Sequence, residues 1–262
     1  QIVELAGVHV RDEGTRAVAC ALKALPRDAL PSGIVLRDNG IAESGFVALG
    51  EALGAKQFTG RAEMHLLDLG KNPQGGDDGV QQFVAQAIVG LTRMGSDNHV
   101  VALSELCLDD VGCANKSMVA LAEALPLLKN WAQLTTRPAI LRCGGNPKVS
   151  DIGWKALAEA LPKLLGLAEL DLSGCYGMGD AGVVTLAEAL IKHSLAGGGL
   201  NILAVDRCGI GNEGGLAIAR VTQLTPSLLQ LSARRNLIDE WVQAAIRTAA
   251  KTMRLKLRLK EL

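Results

Sequence analysis

The side chains able to do chemistry in this 262-residue chain are six cysteines, four histidines and 27 acids. A zinc site needs clustered Cys and His ligands, and a nucleophile needs a base beside it. The cysteines are Cys20, Cys107, Cys113, Cys143, Cys175 and Cys208, with no CxxC pair among them. Of the histidines, His9 and His65 are expected near strands, and His99 and His193 in joints. No Gly-x-Ser-x-Gly elbow occurs, and Gly197-Gly198-Gly199 lacks the lysine and following helix of a phosphate loop. The carboxylate pairs Asp77-Asp78 and Asp109-Asp110 are expected as helix-start acids and surface charge. Asn115-Lys116-Ser117 fits a glycosylation sequon, but Asn115 stands where a helix begins and is read as a cap. The expectation is no catalytic residue, no metal and no cofactor.

What places these residues is a repeat. Leu170-Asp171-Leu172 is followed by Cys175, Asp180, Gly182 and Leu186-Ala187-Glu188-Ala189-Leu190. The same order returns about eight times at a period of roughly 30 residues, the mark of a stacked-repeat architecture. Copies begin near residues 3, 34, 67, 106, 141, 170, 203 and 231, so residues 1–262 read as one domain. Three copies carry one extra residue at the same point: Asn72-Pro73-Gln74-Gly75, Asn146-Pro147-Lys148-Val149 and Cys175-Tyr176-Gly177-Met178. An insertion recurring at one offset indicates a turn there.

Each unit reads as strand, turn, helix. The apolar-x-apolar step has period two, a strand with one buried face. The Asn or Cys that follows sits where the chain turns and can bond backbone groups left unpaired. The acid after it is a helix N-cap or first-turn acid. Leu186 with Leu190, Leu157 with Leu161, Leu121 with Leu125 and Leu49 with Leu53 are then spaced for one helix face. Helices are expected to stop near Pro26, Pro126 and Pro162.

The order Leu-x-Leu-x-x-Asn/Cys, Asp-x-Gly, Leu-Ala-x-Ala-Leu resembles the leucine-rich repeat family, ribonuclease inhibitor-like class, over almost the whole chain. The resemblance implies an α/β solenoid: a curved parallel β-sheet on the concave face, helices on the convex face, about eight repeats. Long joints at 90–102, 126–138 and 194–199 depart from the pattern and are expected mainly as surface slack. The closing alternation Arg254 to Lys260 reads as a capping strand over about 254–259, with Leu255 and Leu257 inward and Arg254, Lys256 and Arg258 outward.

Strand residues beside the buried ones should line the concave face. In order they are Glu4, Val35, Arg37, Asp68, Glu105, Asp109, Arg142, Glu169, Asp171, Asp206 and Arg234. The candidate partner-binding set is Glu105, Asp109, Arg142, Glu169, Asp171, Asp206 and Arg234. It is either a contact for a basic partner or the solvated face any such sheet needs, and the sequence leaves both open. Cys107 is expected to point outward on this face, Cys143, Cys175 and Cys208 to be buried or in turns, and all six thiols to be free. Free thiols suit a reducing, intracellular compartment: cytoplasm, organelle or cilium.

Equal counts of acidic and basic residues, 27 each, give no global pull toward nucleic acid. No apolar run is long enough for a membrane span. No signal peptide is evident, but the chain opens on Gln1 directly in a strand, so that decides nothing. The leading expectation is a non-catalytic protein–protein interaction scaffold, a subunit of a larger assembly, with another protein as partner. One alternative is a GTPase-activating regulator similar to the Ran GTPase-activating protein, which uses this repeat type. Another is the sensor region of a larger receptor or bacterial effector.

Overall fold

The computed structural model describes residues 1–26, 29–55, 64–92, 103–135 and 137–259. Among these, nine short strands form one open sheet in strict chain order, every neighbouring pair parallel. They are β1 (Ile2–Glu4), β2 (Gly33–Val35), β3 (Leu66–Asp68), β4 (Glu105–Cys107), β5 (Ala139–Arg142), β6 (Leu167–Asp171), β7 (Ile202–Ala204), β8 (Gln230–Ser232) and β9 (Lys256–Arg258). Helices alternate with them: α1 (Arg11–Ala24), α2 (Glu43–Gly54), α3 (Gly76–Phe83), the short α4 (Val89–Thr92), α5 (Asn115–Ala124), the short α6 (Lys129–Ala132), α7 (Asp151–Ala160), α8 (Gly179–Leu195), α9 (Asn212–Leu224) and α10 (Glu240–Thr252). This is an α/β solenoid of stacked strand–turn–helix repeats. Strands stack about 4.8 Å apart, while packed helices need about 8–10 Å.

The central register column is Val3, Ile34, Leu67, Leu106, Leu141, Leu170, Leu203, Leu231 and Leu257. Its first eight members are where the sequence copies begin. The column two residues on, Leu36, Leu69, Leu108, Cys143, Leu172, Val205 and Ala233, is buried as well. Each full burial of such a side chain contributes about 1.5–3 kcal/mol. Helix side chains close the other wall, with Phe46 and Phe83 edge to face at 6.0 Å. Leu255, Leu257 and Leu259 pack on the end of this core while Arg254, Lys256 and Arg258 stay exposed, so the terminal strand closes the stack as expected.

Two hydrogen-bond ladders tie repeat to repeat. The first is the Asn column. Asn146 donates to the carbonyls of Leu108 in the previous repeat and Cys143 in its own, at 2.9 Å each, and its Oδ1 accepts from Val111, Gly112 and Cys113. Asn39, Asn72 and Asn236 do the same at their turns. Cys175 and Cys208 replace Asn with weaker thiol donors, to the carbonyls of Cys143 and Leu172.

The second ladder comes from the first-turn acids, as expected, and corrects only the N-cap alternative. No helix among the described residues is capped by its own N-cap side chain. The acid or Asn in a helix's first turn reaches instead to the start of the next repeat's helix. Asp12 accepts from the Ala42 N–H, Asp77 from Ala114 and Ser117, Asn115 from Ser150 and Gly153, Asp180 from Gly211 and Gly214, and Asn212 from Asp239. The glycine of Asp-x-Gly leaves room for that neighbour. A Cβ on Gly45 or Gly214 would lie 2.7 Å from the carboxylate of Asp12 or Asp180.

The recurring insertion is a real turn in all three copies, closed by Gly75 N–H to Asn72, Val149 to Asn146 and Met178 to Cys175 carbonyls. Helices α1, α5 and α7 end at Ala24, Ala124 and Ala160, just before the expected prolines.

The joint at 126–138 is not slack. Leu125–Leu127 and α6 fill part of it, and Trp131 is fully buried there. The Asn130 amide and the Trp131 indole both donate to the Leu103 carbonyl, at 2.7 and 2.6 Å. His193 is not in a joint either: it lies inside α8, fully buried, with Nε2 2.9 Å from the Leu164 carbonyl. Of the joint at 90–102, residues 93–102, His99 included, lie outside the described residues, as does Lys260.

Candidate protein-binding surface

One face of the sheet carries the helices. The side chains flanking the central column point to the other face, and β4 to β8 place the charged ones. Arg142 of β5 sits between Glu105 of β4 and Glu169 of β6. Its guanidinium bonds Glu105 and meets Glu169 at 2.9 Å. Three repeats earlier, just after β2, Arg37 bridges Asp68 at 3.0 Å and Asp109 at 3.3 Å. Farther along, Arg234 Nε meets Asp206 Oδ2 at 2.9 Å.

The carboxylates also serve the backbone. Asp68 accepts from Gly70, Asp109 from Gly144, Asp171 from Ser173, and Asp206 from Arg234. Each therefore satisfies a turn N–H that the end of a strand leaves open. The expected acidic stripe is thus a row of charges paired with arginines and turn amides. Asp109 and Asp110 are accordingly not helix-start acids but part of the turn after β4, Asp110 with φ 52°. Asp77 and Asp78 do lie in the first turn of α3, Asp78 paired with Lys116 at 2.6 Å.

Half-burial shapes the electrostatics. Burial works against the charged form of Arg142, but Glu169 and Glu105 outweigh it and hold the guanidinium protonated. Arg37 is held up likewise, burial opposing and Asp68 and Asp109 prevailing. Burial pushes the Asp109 carboxyl up, with Arg37 and the Gly144 N–H offsetting part of the effect. Cys107 lies beneath this row. It faces the open side as expected, yet it is only 3% exposed. Arg142 lies over it, Nη1 to Sγ 3.8 Å. Burial, then Asp68 and Glu105, push its thiol up to about 12.

Of the expected set, the structure brings together Glu105, Arg142 and Glu169. It places Asp109 with Arg37, and Asp206 with Arg234, and leaves Asp171 bonded to its own turn. Sequence reasoning missed the rim beyond the strand ends. There a groove of about 640 Å³ runs past Tyr176, Arg207 and Arg235. Its signals were present: two of the three turn insertions, and arginine at a turn position where the fifth and sixth repeats have glycine.

Among the described residues no His/Cys/Asp/Glu group is arranged to hold a metal ion. Among them also, no helix is long and apolar enough to cross a membrane.

No family model matches the chain, and no curated protein matches it. Among solved structures it is similar to a chain of the yeast Rad7 and Elc1 complex. That likeness has 13% identity and a TM-score of 0.41, and covers 98% of this chain and 73% of the other. A likeness of that depth carries no argument about function.

Proposed function

We propose that the chain is a leucine-rich repeat protein of the ribonuclease inhibitor-like class. We propose further that it acts without catalysis, as a scaffold whose open sheet face binds another protein within a larger assembly. The observation that supports this is the ion-pair row itself. Glu105, Arg142, Glu169, Asp206 and Arg234 are held in fixed positions on a face with no covering element among the described residues. Preset charges favour one orientation of a complementary surface and disfavour the wrong ones. The same pairing argues against acid–base work, because these carboxylates already hold arginines and turn amides.

The test is affinity capture with cross-linking and mass spectrometry. It compares the wild-type chain with Arg142→Glu and Asp171→Lys on the open face, and with Lys155→Glu and Glu188→Lys on the helical face. Loss of the same cross-linked protein in the open-face variants alone supports the reading. An identical captured set from all four folded variants sinks it.

A further inference from the structure

Just beyond the strand end, every repeat places the same turn position in the left-handed region. In the fifth and sixth repeats it is Gly145 or Gly174, φ 66° and 81°; in the seventh and eighth it is Arg207 or Arg235, φ 53° and 56°. The glycines raise no side chain, so a trough opens over them. Pro147 and Tyr176, both from turn insertions, line it together with Arg207 and Arg235. Tyr176 is the one tyrosine of the chain and is 60% exposed.

The charges of this groove are not all alike. Asp206 is satisfied by the Arg234 guanidinium at 2.9 Å and by the Ser232 hydroxyl at 2.7 Å. Arg207 and Arg235 are exposed and make no ion pair with a described residue. They line a trough whose other acid, besides Asp206, is Asp110. We propose that this groove binds an extended peptide segment of a partner protein, its Asp or Glu carboxylates on Arg207 and Arg235 and an adjoining apolar residue on Tyr176 and Pro147.

Guanidinium groups take carboxylates through paired N–H···O bonds, and a tyrosine face offers area at little entropic cost. A polyphosphate chain fits less well. The groove is also lined by Asp110 and Asp206, which repel a phosphate carrying nearly two charges more strongly than a carboxylate carrying one. A peptide with two carboxylates meets the two free arginines and then leaves the acidic stretch uncontested. The proposal rests on the scaffold reading and adds the chemistry of one partner segment.

The experiment uses the full chain, 15N-labelled, titrated with an acetylated hexapeptide of sequence Gly-Glu-Leu-Glu-Gly-Gly. The same peptide with both glutamates replaced by glutamine, its counterpart with both replaced by phosphoserine and a ten-residue oligothymidylate are parallel probes, and binding is also followed by fluorescence polarisation. The expected result is that the glutamate peptide shifts the amides of Gly145, Gly174 and Tyr176. Its affinity should fall about tenfold in Arg207→Ala/Arg235→Ala, recover in part in Arg207→Lys/Arg235→Lys, and hold in Lys256→Ala/Arg258→Ala. The proposal is overturned by shifts centred on Lys256 and Arg258, by equal affinity of the double alanine variant, or by tighter binding of the phosphoserine peptide or the oligonucleotide. Failure here with capture still sensitive to Arg142→Glu removes this inference and leaves the scaffold standing. Capture indifferent to every surface change removes the scaffold reading instead.

Discussion

Asp77 caps the helix of Ser117, one repeat ahead of its own: its Oδ1 accepts the Ser117 N–H at 2.8 Å, and the Ser117 hydroxyl adds a second bond. Ala114 and Lys116 donate to the same carboxylate. Asp77→Ala should therefore destabilise α5 and its neighbours by about 1–2 kcal/mol. Asp77→Asn, which keeps one acceptor oxygen, should lose less. Burial raises this carboxyl, but the Ser117 hydroxyl and the three backbone donors outweigh it and leave it below its ordinary value near 3.8. A folded value below the unfolded one gives stability that is complete above pH 3.8 and fades as pH falls through the folded value. Urea unfolding should show a constant gap between wild type and Asp77→Asn from neutral pH to about pH 5, closing below about pH 4. A gap that widens in acid would count against the capping role.

Alanine normally improves a helix over glycine by about 0.5–1 kcal/mol. Gly214→Ala should do the reverse, because its Cβ would stand 2.7 Å from both Asp180 Oδ1 and Ile210 Cγ2. The expected loss is about 1–3 kcal/mol, the usual range for overpacking. Asp180→Ala in the same chain should reduce the penalty of Gly214→Ala, since one of the two obstacles is gone. Denaturation midpoints of the four chains in that cycle decide it, and a stabilised single variant would show that the turn has room to yield.

The repeat was legible because burial imposes it: one unit cannot cover its own apolar face, so Ile34, Leu67, Leu106, Leu141, Leu170 and Leu203 must recur in step. The turn Asn residues were legible for a similar reason, since strand ends leave amides open in every copy. What the sequence could not show is which neighbour a side chain reaches. Asp77 and Asn115 stand where a cap belongs, and only the lateral offset between repeats turns them toward the next helix. Trp131 reads as joint sequence because no period marks it, yet it fills core beside Leu103. Arg142 reads as one cation in an acidic row; the register sets it opposite Cys107 and Asp171, and only its long side chain reaches back to Glu105 and Glu169, which flank Ile140.

Burial also sorts the six cysteines. The thiols of Cys107, Cys113, Cys175 and Cys208 are pushed up to about 12, and Cys143 is raised well above its ordinary value. Cys20 alone is exposed. Ellman's reagent at pH 8 should find one fast thiol in the folded chain and six after denaturation. Because Arg142 covers Cys107, Arg142→Ala should expose a second fast thiol. Two fast thiols in the wild type, or no gain in the variant, would contradict that packing.

His193 ties folding to pH. The ring is fully buried, its Nε2 lies 2.9 Å from the Leu164 carbonyl, and Nδ1 has no partner among the described residues. The Gly198 Cα packs against the ring so closely that a Cβ there would come within 2.1 Å of Cε1. Burial lowers the imidazole below its ordinary value of 6.5, the Leu164 carbonyl offsetting only part. Above pH 6.5 the ring is neutral in both states and its contribution is complete. As pH falls through 6.5 the unfolded chain takes up the proton first, so stability drops until the folded value is passed. The slope from this one group can reach at most about 1.4 kcal/mol per pH unit. His193→Gln keeps a donor for Leu164 but cannot titrate, so unfolding free energies measured between pH 7.5 and about pH 5 should fall less steeply in the variant. Its loss at neutral pH reports the poorer packing alone. Equal slopes in the two chains would mean that the buried ring is protonated in the fold.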